Sequence, residues 1–282
     1  MTRWLVTGAG GQLGTHLLEL LDGADVVAVT RAELDVTHEP SVEALIRDAR
    51  PDVVLNAAAY TAVDAAEEAS DDAFAGNEHG PRLLAEALAR HGGRLVHVST
   101  DYVFAGDASR PYEPDDPTGP RTVYGRSKLA GEDAVRAALP DSHVVRTAWV
   151  YGGPSANFVD TMIKLEQSRD TLDVVNDQIG SPTWVRDLAA ALIALGSADV
   201  PGGVLHYVNT GQASWFELAR EVFRLVGADP ERVRPVSSEQ FPRPAPRPAW
   251  SVLSTTSWTN RDLPAPRSWQ AALAECLAAK AR

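Results

Sequence analysis

The run Trp4-Leu5-Val6-Thr7-Gly8-Ala9-Gly10-Gly11-Gln12-Leu13-Gly14 reads as a short apolar strand that breaks into a glycine turn and resumes as a helix. Glycine tolerates positive φ, so a tight turn is available directly after the strand. It also lets backbone amides come close to a ligand, and the following helix points its positive N-terminal end at the same place. Together these features make an anion site suited to a pyrophosphate. A glycine turn alone is a weak signal, but here a strand precedes it and a helix follows. We therefore expect a dinucleotide site formed by Gly8, Gly10, Gly11, Gln12, Leu13 and Gly14, opening a Rossmann-type unit.

Beyond the turn, short β-branched runs alternate with longer stretches of helical spacing, the pattern of βαβ units and a parallel sheet. Strands are expected at Trp4–Thr7, Val26–Thr30, Val53–Asn56, Arg94–Val98 and His143–Thr147. Helices are expected at Gln12–Leu21, Pro40–Ala49, Ala73–His91 and Thr122–Leu139. Leu83, Leu84, Ala87 and Leu88 recur at intervals of three and four, as one buried helical face requires. After about residue 150 the pattern loosens. A strand-like Leu172–Val175 leads into the turn-rich Gln178-Ile179-Gly180-Ser181-Pro182-Thr183. Asp187–Leu195 reads as a helix, Gly203–Val208 as a strand, and Ser214–Val226 as a helix with Ser214 as N-cap and Glu217 three residues on. Phe241 to Pro248 alternates proline with other residues and must be an extended loop, since proline lacks the amide donor. The expected class is α/β: a doubly wound parallel sheet from residues 1–150 with a returning segment at about 184–209. A smaller mixed α/β domain would come from 151–183 and 210–282.

The 282 residues are 44% apolar and 23% charged, ordinary for a globular chain with a sizeable core. Lys+Arg is 26 and Asp+Glu is 38, so the net charge is −12, which argues against nucleic acid and anionic membrane as partners. The single cysteine, Cys276, excludes an intramolecular disulfide and a cysteine-rich metal site, and reads as a small apolar residue on a C-terminal helix. Too few apolar residues precede the glycines for a signal-peptide core, and no uncharged run has transmembrane length, so a cytoplasmic location is expected.

The second expected strand ends at Val29-Thr30-Arg31, without the carboxylate that would hold an adenosine ribose hydroxyl. Arg31 either meets a 2′-phosphate, pointing to NADPH or to use of both NADPH and NADH, or is a solvated strand end. In Leu34-Asp35-Val36-Thr37, Asp35 either reaches the adenine edge, with Val36 beside it, or caps the helix beginning near Pro40. Further on, Tyr124-Gly125-Arg126-Ser127-Lys128 places Tyr124 and Lys128 four apart, on one face of a helix. An ammonium nearby favours phenolate and lowers a tyrosine pKa from about 10, which makes a proton donor and acceptor pair. Thr100, in Ser99-Thr100-Asp101 after the fourth strand, would add a hydroxyl for the carbonyl being reduced, with Ser99 as its rival. His206, on an apolar strand, reads as structural, and Asp64, Glu67, Glu68, Asp71 and Asp72 read as a solvated helical face.

Glycines at 8, 11 and 14 share the spacing of the extended short-chain dehydrogenase/reductases. The chain resembles one branch of them, the dTDP-4-dehydrorhamnose reductases. The resemblance rests on Thr7–Gly14, Leu34–Thr37, Asn56–Asp64, Ser99–Phe104, Tyr124–Lys128 with Gly131-Glu132, Arg146–Gly152, Asp177–Thr183, and Arg247-Pro248 followed by Ser251. The Tyr/Lys pair and the glycines mark the superfamily; Asn56–Asp64 and Asp177–Thr183 are narrower. The resemblance implies NAD(P)H-dependent reduction of the 4-keto group of a dTDP-4-keto-6-deoxy sugar, with dTDP-4-dehydro-L-rhamnose going to dTDP-L-rhamnose. It implies Tyr124 as proton donor, Lys128 tuning Tyr124 and holding the nicotinamide ribose, and Thr100 orienting the carbonyl. Asn56, Ala57, Ala58 and Ala59 would line the cofactor. The second domain would bind the dTDP-sugar, with Tyr102, Trp149, Asn157 and Gln178 as substrate contacts and Arg247 as a diphosphate ligand, since its fork matches phosphate oxygens.

The chain also departs from the family. Some members dimerise through magnesium held by glutamates just after the third glycine and just after the Pro-Thr of the second-domain loop. Here those places read Thr15-His16 and Trp184-Val185-Arg186, so no metal site and either a monomer or a metal-independent homodimer are expected. Two other readings stand beside the main one: a 4-ketoreductase for another nucleotide-linked deoxysugar, as in antibiotic biosynthesis, and a non-catalytic regulatory or binding relative.

Overall fold

Val53-Val54-Leu55 and Val144-Val145 are apolar at every position, and strands of that kind are covered on both faces. The computed structural model describes residues 1–280 and places these runs inside a six-stranded parallel sheet. The first half runs β1 (Arg3–Thr7), α1 (Gln12–Leu20), β2 (Asp25–Val29), α2 (Glu39–Ala49), β3 (Val53–Asn56), α3 (Val63–Ala66) and α4 (Ser70–Phe74). It continues with α5 (Gly80–His91), β4 (Arg94–Thr100), α6 (Val123–Ala138) and β5 (His143–Thr147). Then come β6 (Val150–Tyr151), α7 (Phe158–Glu166), β7 (Leu172–Val175), β8 (Ile179–Gly180), β9 (Thr183–Trp184) and α8 (Val185–Ser197). The chain closes with β10 (Gly203–His206), β11 (Ala213–Ser214), α9 (Trp215–Leu225), β12 (Val233–Val236), α10 (Thr256–Thr259) and α11 (Trp269–Lys280).

The sheet order is β2-β1-β3-β4-β5-β10. The chain therefore reverses its winding between β1 and β3, and in such sheets the crevice beyond the strand ends at that point is where ligands bind. Side chains alternate between two cores. Trp4, Val6, Leu55, Val96 and Val145 pack with α1 and α8, while Leu5, Val54, Leu95 and Val144 pack with α2, α5 and α6. A third cluster joins Tyr151, Val159, Trp184, Leu218, Phe223, Trp269 and Cys276 around α7, α9 and α11. Ser214 caps α9 with the reciprocal Glu217 contact, which stabilises the helix start.

Three sequence readings need correction. The expected helix Ala73–His91 is α4, a π-helical turn at Ala75–His79, and α5. The extra residue per turn points buried Asn77 at the β3 loop, where it accepts from Tyr60 N–H at 2.8 Å and donates to Tyr60 O at 3.0 Å. The strand from Gly203 stops at His206, where pairing with β5 ends. The acidic run is not simply a solvated face. Asp64 accepts from Arg247 at 2.8 Å, and Glu67 accepts from Val123 N–H at 2.9 Å, satisfying a free amide at the start of α6. Among the described residues no helix is long and apolar enough to cross a membrane.

Candidate active site

The glycine turn leaves β1 and abuts the loop that leaves β3. Gly8 has φ +69°, and a Cβ there would meet Ala57 and Ala58 backbone at 2.7 Å, so a side chain is excluded by conformation and by space. A Cβ on Gly14 would lie 2.2 Å from Gly8 O, so α1 can approach the turn only with glycine there. A Cβ on Gly10, in contrast, would meet only Thr30 Cγ2 at 3.6 Å, and that side of the turn is open. The N-terminus of α1 carries no side-chain cap and no acidic residue in its first turn. Gln12 Oε1 is buried without a partner. An uncapped helix start and an open glycine face fit a pyrophosphate-bearing dinucleotide, while the unpaired Gln12 oxygen, an acceptor, suits a hydroxyl rather than a phosphate.

Arg31 is exposed just beyond β2. Glu33, two residues on, accepts from Thr30 N–H at 2.9 Å and Oγ1 at 2.8 Å, so a carboxylate that motif reading passed over stands at the end of β2. Asp35 accepts from Thr37 N–H and Oγ1, which holds its carboxyl below the usual range, with Arg31 adding to the effect. It does not cap α2, whose N-cap position is His38. Val36 packs where α5 begins, against Gly80. Asn56 is buried, and its Oδ1 accepts from Thr7 Oγ1 at 2.7 Å and Ala58 N–H at 3.2 Å, which shapes the loop through Ala57 and Ala59.

Tyr124 lies in the first turn of α6, where Thr122 caps the helix by accepting from Gly125 N–H at 2.9 Å. The Thr100 hydroxyl donates to Asp101 Oδ1 at 3.0 Å and accepts from Tyr102 N–H at 3.3 Å, and it lies near enough to Tyr124 to favour the phenolate. Ser99, the other candidate, faces the opposite way and donates to buried Glu132 Oε1 at 2.5 Å. Glu132 in turn pairs with buried Arg146 at 2.7 Å. Lys128, 1% exposed, donates to Val98 O at 2.7 Å. Burial dominates the electrostatics. It pushes Tyr124 up to about 12 against the nearby Thr100 hydroxyl, and Lys128 down to about 8 against the charge of Glu132. Asp101, also buried, is pushed up to about 6. The lowered tyrosine pKa expected from Lys128 is not found: desolvation raises it, with Asp101 adding to the rise, and Lys128 is not among the groups that act on it.

The expected substrate residues fall into two groups. Tyr102 stands edge-on to Tyr124, with ring centroids 5.6 Å apart, and shares a cavity with Arg121 and Arg247. Arg247 is engaged with Asp64 and with Ala245 O at 2.9 Å. In the other group Trp149, at φ +46°, stacks on Trp215 at 3.5 Å, and Gln178 Oε1 accepts from Trp215 Nε1 at 3.2 Å. Trp215 is the member that sequence reading missed, because it stands on an ordinary amphipathic helix. Asn157 caps α7, accepting from Asp160 N–H at 3.1 Å. In the two neighbourhoods read for metal, His16 Nδ1 lies 3.0 Å from Glu19 and Arg186 lies 3.5 Å from the same carboxylate.

The family described as "RmlD substrate binding domain" matches residues 2–282. A dTDP-4-dehydrorhamnose reductase of Mycobacterium tuberculosis is 54% identical over 99% of this chain and 93% of its own. A Streptomyces antibioticus protein named "Probable dTDP-4,6-dihydroxy-2-methyloxan-3-one 4-ketoreductase" is 51% identical over 97% of this chain and 94% of its own. The crystal structure of a Bacillus anthracis dTDP-4-dehydrorhamnose reductase in complex with NADP superimposes with a TM-score of 0.95, at 38% identity over 99% of each chain.

Proposed function

Because the chain belongs to the RmlD substrate binding domain family, we propose that it is an NADPH-dependent reductase of the 4-keto group of a dTDP-4-keto-6-deoxy sugar. Its substrate in this reading is dTDP-4-dehydro-L-rhamnose, and its product dTDP-L-rhamnose. One observation carries the chemistry: Tyr124 opens α6 with Lys128 one turn further along, and Thr100 at the end of β4 lies near enough to Tyr124 to favour its phenolate.

NADPH, bound at the glycine turn by Gly8, Gly10, Gly11, Gln12, Leu13 and Gly14 and by Asn56–Ala59, supplies the hydride for the keto carbon. Arg31 meets its 2′-phosphate, and Asp35 and Val36 the adenine side. Tyr124 gives its proton to the carbonyl oxygen. A phenol pushed up to about 12 holds that proton until charge develops beside it. Thr100 orients the same oxygen. Lys128 holds the nicotinamide ribose and offsets the phenolate that Tyr124 becomes. Tyr102, Trp149, Asn157, Gln178 and Arg247 bind the dTDP-sugar, with 1–150 and the returning 184–209 as the cofactor domain and 151–183 with 210–282 as the substrate domain.

We assign the enzyme to the cytoplasm, as a monomer or metal-independent homodimer, with no nucleic-acid partner at a net charge of −12. Purified protein, dTDP-4-dehydro-L-rhamnose and NADPH should yield NADP and dTDP-L-rhamnose, identified by NMR. Unchanged NADPH absorbance in that mixture would sink the proposal. The similar identity of the Streptomyces antibioticus ketoreductase supports a second substrate, another 4-keto deoxysugar, which the same assay separates by product stereochemistry.

A further inference from the structure

Thr7 on β1 stands opposite Asn56 on β3, and Asn56 opposite His97 on β4, so three buried polar side chains form one row across adjacent strands. The hydrogen bonds along this row fix where every proton sits. Ala58 N–H and Thr7 Oγ1 both donate to Asn56 Oδ1, so the amide has one possible orientation. Its Nδ2 is left facing His97 and donates to Nδ1 at 3.0 Å. A ring nitrogen that accepts carries no hydrogen, so neutral His97 carries its hydrogen on Nε2. The ring is neutral, because burial and the charge of Lys128 hold its pKa well below the ordinary value. Nε2 stands 3.5 Å from Lys128 Nζ.

We propose that His97 is a positioning residue that turns a fixed N–H toward Lys128 and so weakens the lysine's hold on its proton. An ammonium at this place finds an acceptor in Val98 O on one side and a donor on the other. A neutral amine accepts from Nε2–H and loses nothing. The remaining groups do not supply this effect. Glu132, one turn on, favours the ammonium and is itself paired with Arg146 from β5. Tyr124, one turn back, is a neutral phenol, and Asp101 lies beside Thr100 and bears on Tyr124. Lys128 has been identified above as a partner of the proton donor, and the inference rests on that reading. His97 thereby adds to burial in lowering the pH above which reduction slows. Because the row ends at Asn56 and Thr7, it also ties the lysine's charge to the loops that leave β3 and β1.

The chain has three lysines, Lys128, Lys164 and Lys280, so Lys128 can be titrated alone by NMR of protein labelled at lysine Cε. In the unaltered protein it should lose its proton well below the ordinary lysine range. His97→Leu removes the N–H and should move that titration upward by about one pH unit, the size of one lost hydrogen-bonding interaction. His97→Gln should leave it in place, since its carbonyl accepts from Asn56 and its amide N–H faces Nζ. An unmoved titration in His97→Leu, or the same rise in His97→Gln, would overturn the proposal. The tautomer is read independently from ring nitrogen shifts of the unaltered protein, whether or not the variants fold. His97 should be Nε2–H and should not titrate between about pH 6 and 9, because the buried ring stays neutral; an Nδ1–H ring or a charged one would refute the proposal. Neither measurement needs substrate or cofactor. A protein that titrates as stated but reduces no dTDP-sugar would refute the functional reading alone.

Discussion

Tyr124 and Lys128 illustrate how one helix turn can divide two roles by burial. Tyr124→Phe keeps the ring that packs edge-on to Tyr102 and removes the proton. Turnover should fall by at least about a hundredfold, with NADPH affinity unchanged by fluorescence titration. A mutant with full turnover would remove Tyr124 from the chemistry. Lys128 costs stability to keep. Its pKa is lowered from 10.5 to about 8, so below that pH the folded state holds a charge that burial disfavours. Between about 8 and 10.5 the unfolded chain binds the proton and the folded chain does not, so this residue's penalty fades as pH rises. Lys128→Met should therefore abolish activity yet resist urea better at pH 7, by up to roughly 3 kcal/mol, and the gain should vanish near pH 10. In the proposed cofactor site, Arg31 at the end of β2 would attract a 2′-phosphate and Glu33 would repel it. Arg31→Ala should raise KM for NADPH far more than for NADH, and Glu33→Gln should do the reverse by favouring NADPH. Equal changes for both cofactors would make these two residues structural.

Helix α6 brings Tyr124 and Lys128 to the sheet, and a buried ion pair holds it there. Arg146 donates to both Glu132 oxygens, and Ser99 completes the carboxylate's shell. Arg146→Leu leaves Glu132 charged and unpaired, so urea denaturation should show a loss of about 3–5 kcal/mol. The double variant with Glu132→Leu should recover much of it; no recovery would mean that packing around Arg146, not charge, sets the cost. The sequence carries this helix clearly, since apolar spacing and a threonine cap mark it. It carries β3, β5 and β7 to the residue, because each is built around a β-branched pair or run, Val53-Val54, Val144-Val145 and Val174-Val175. It does not show the π turn at Ala75–His79, since one inserted residue leaves apolar spacing nearly intact. The two-residue strands β6, β8, β9 and β11 are also illegible, being held by partners distant in sequence. At the site the residue types are legible, but their pairings are not. Local alternation cannot separate Ser99 from Thr100, and only the fold shows that Glu132 takes one hydroxyl and Asp101 the other.

At the scale of the whole molecule, the glycine turn and the outer surface of α1 answer to different demands. Leu13 on α1 packs against both the sheet core and the α7–α9–α11 cluster, so this helix ties the two together. Its next turns carry His16 and Glu19 toward Arg186 at the start of α8. A magnesium bridge between subunits needs hard oxygen ligands in near-octahedral array. Glu19 is here shared by an imidazole and a guanidinium, and the guanidinium repels a divalent cation. Imidazole itself suits zinc or nickel better than magnesium. Among the described residues no cluster of three or more His, Cys, Asp and Glu could hold a metal ion. Chelation with EDTA should accordingly leave both the mass in light scattering and the initial reductase rate unchanged. A mass that halves on chelation and returns with magnesium would show that other carboxylates bridge two copies. Arg186→Ala separates the two cases further: it frees Glu19, and only in a magnesium-bridged protein should that strengthen assembly.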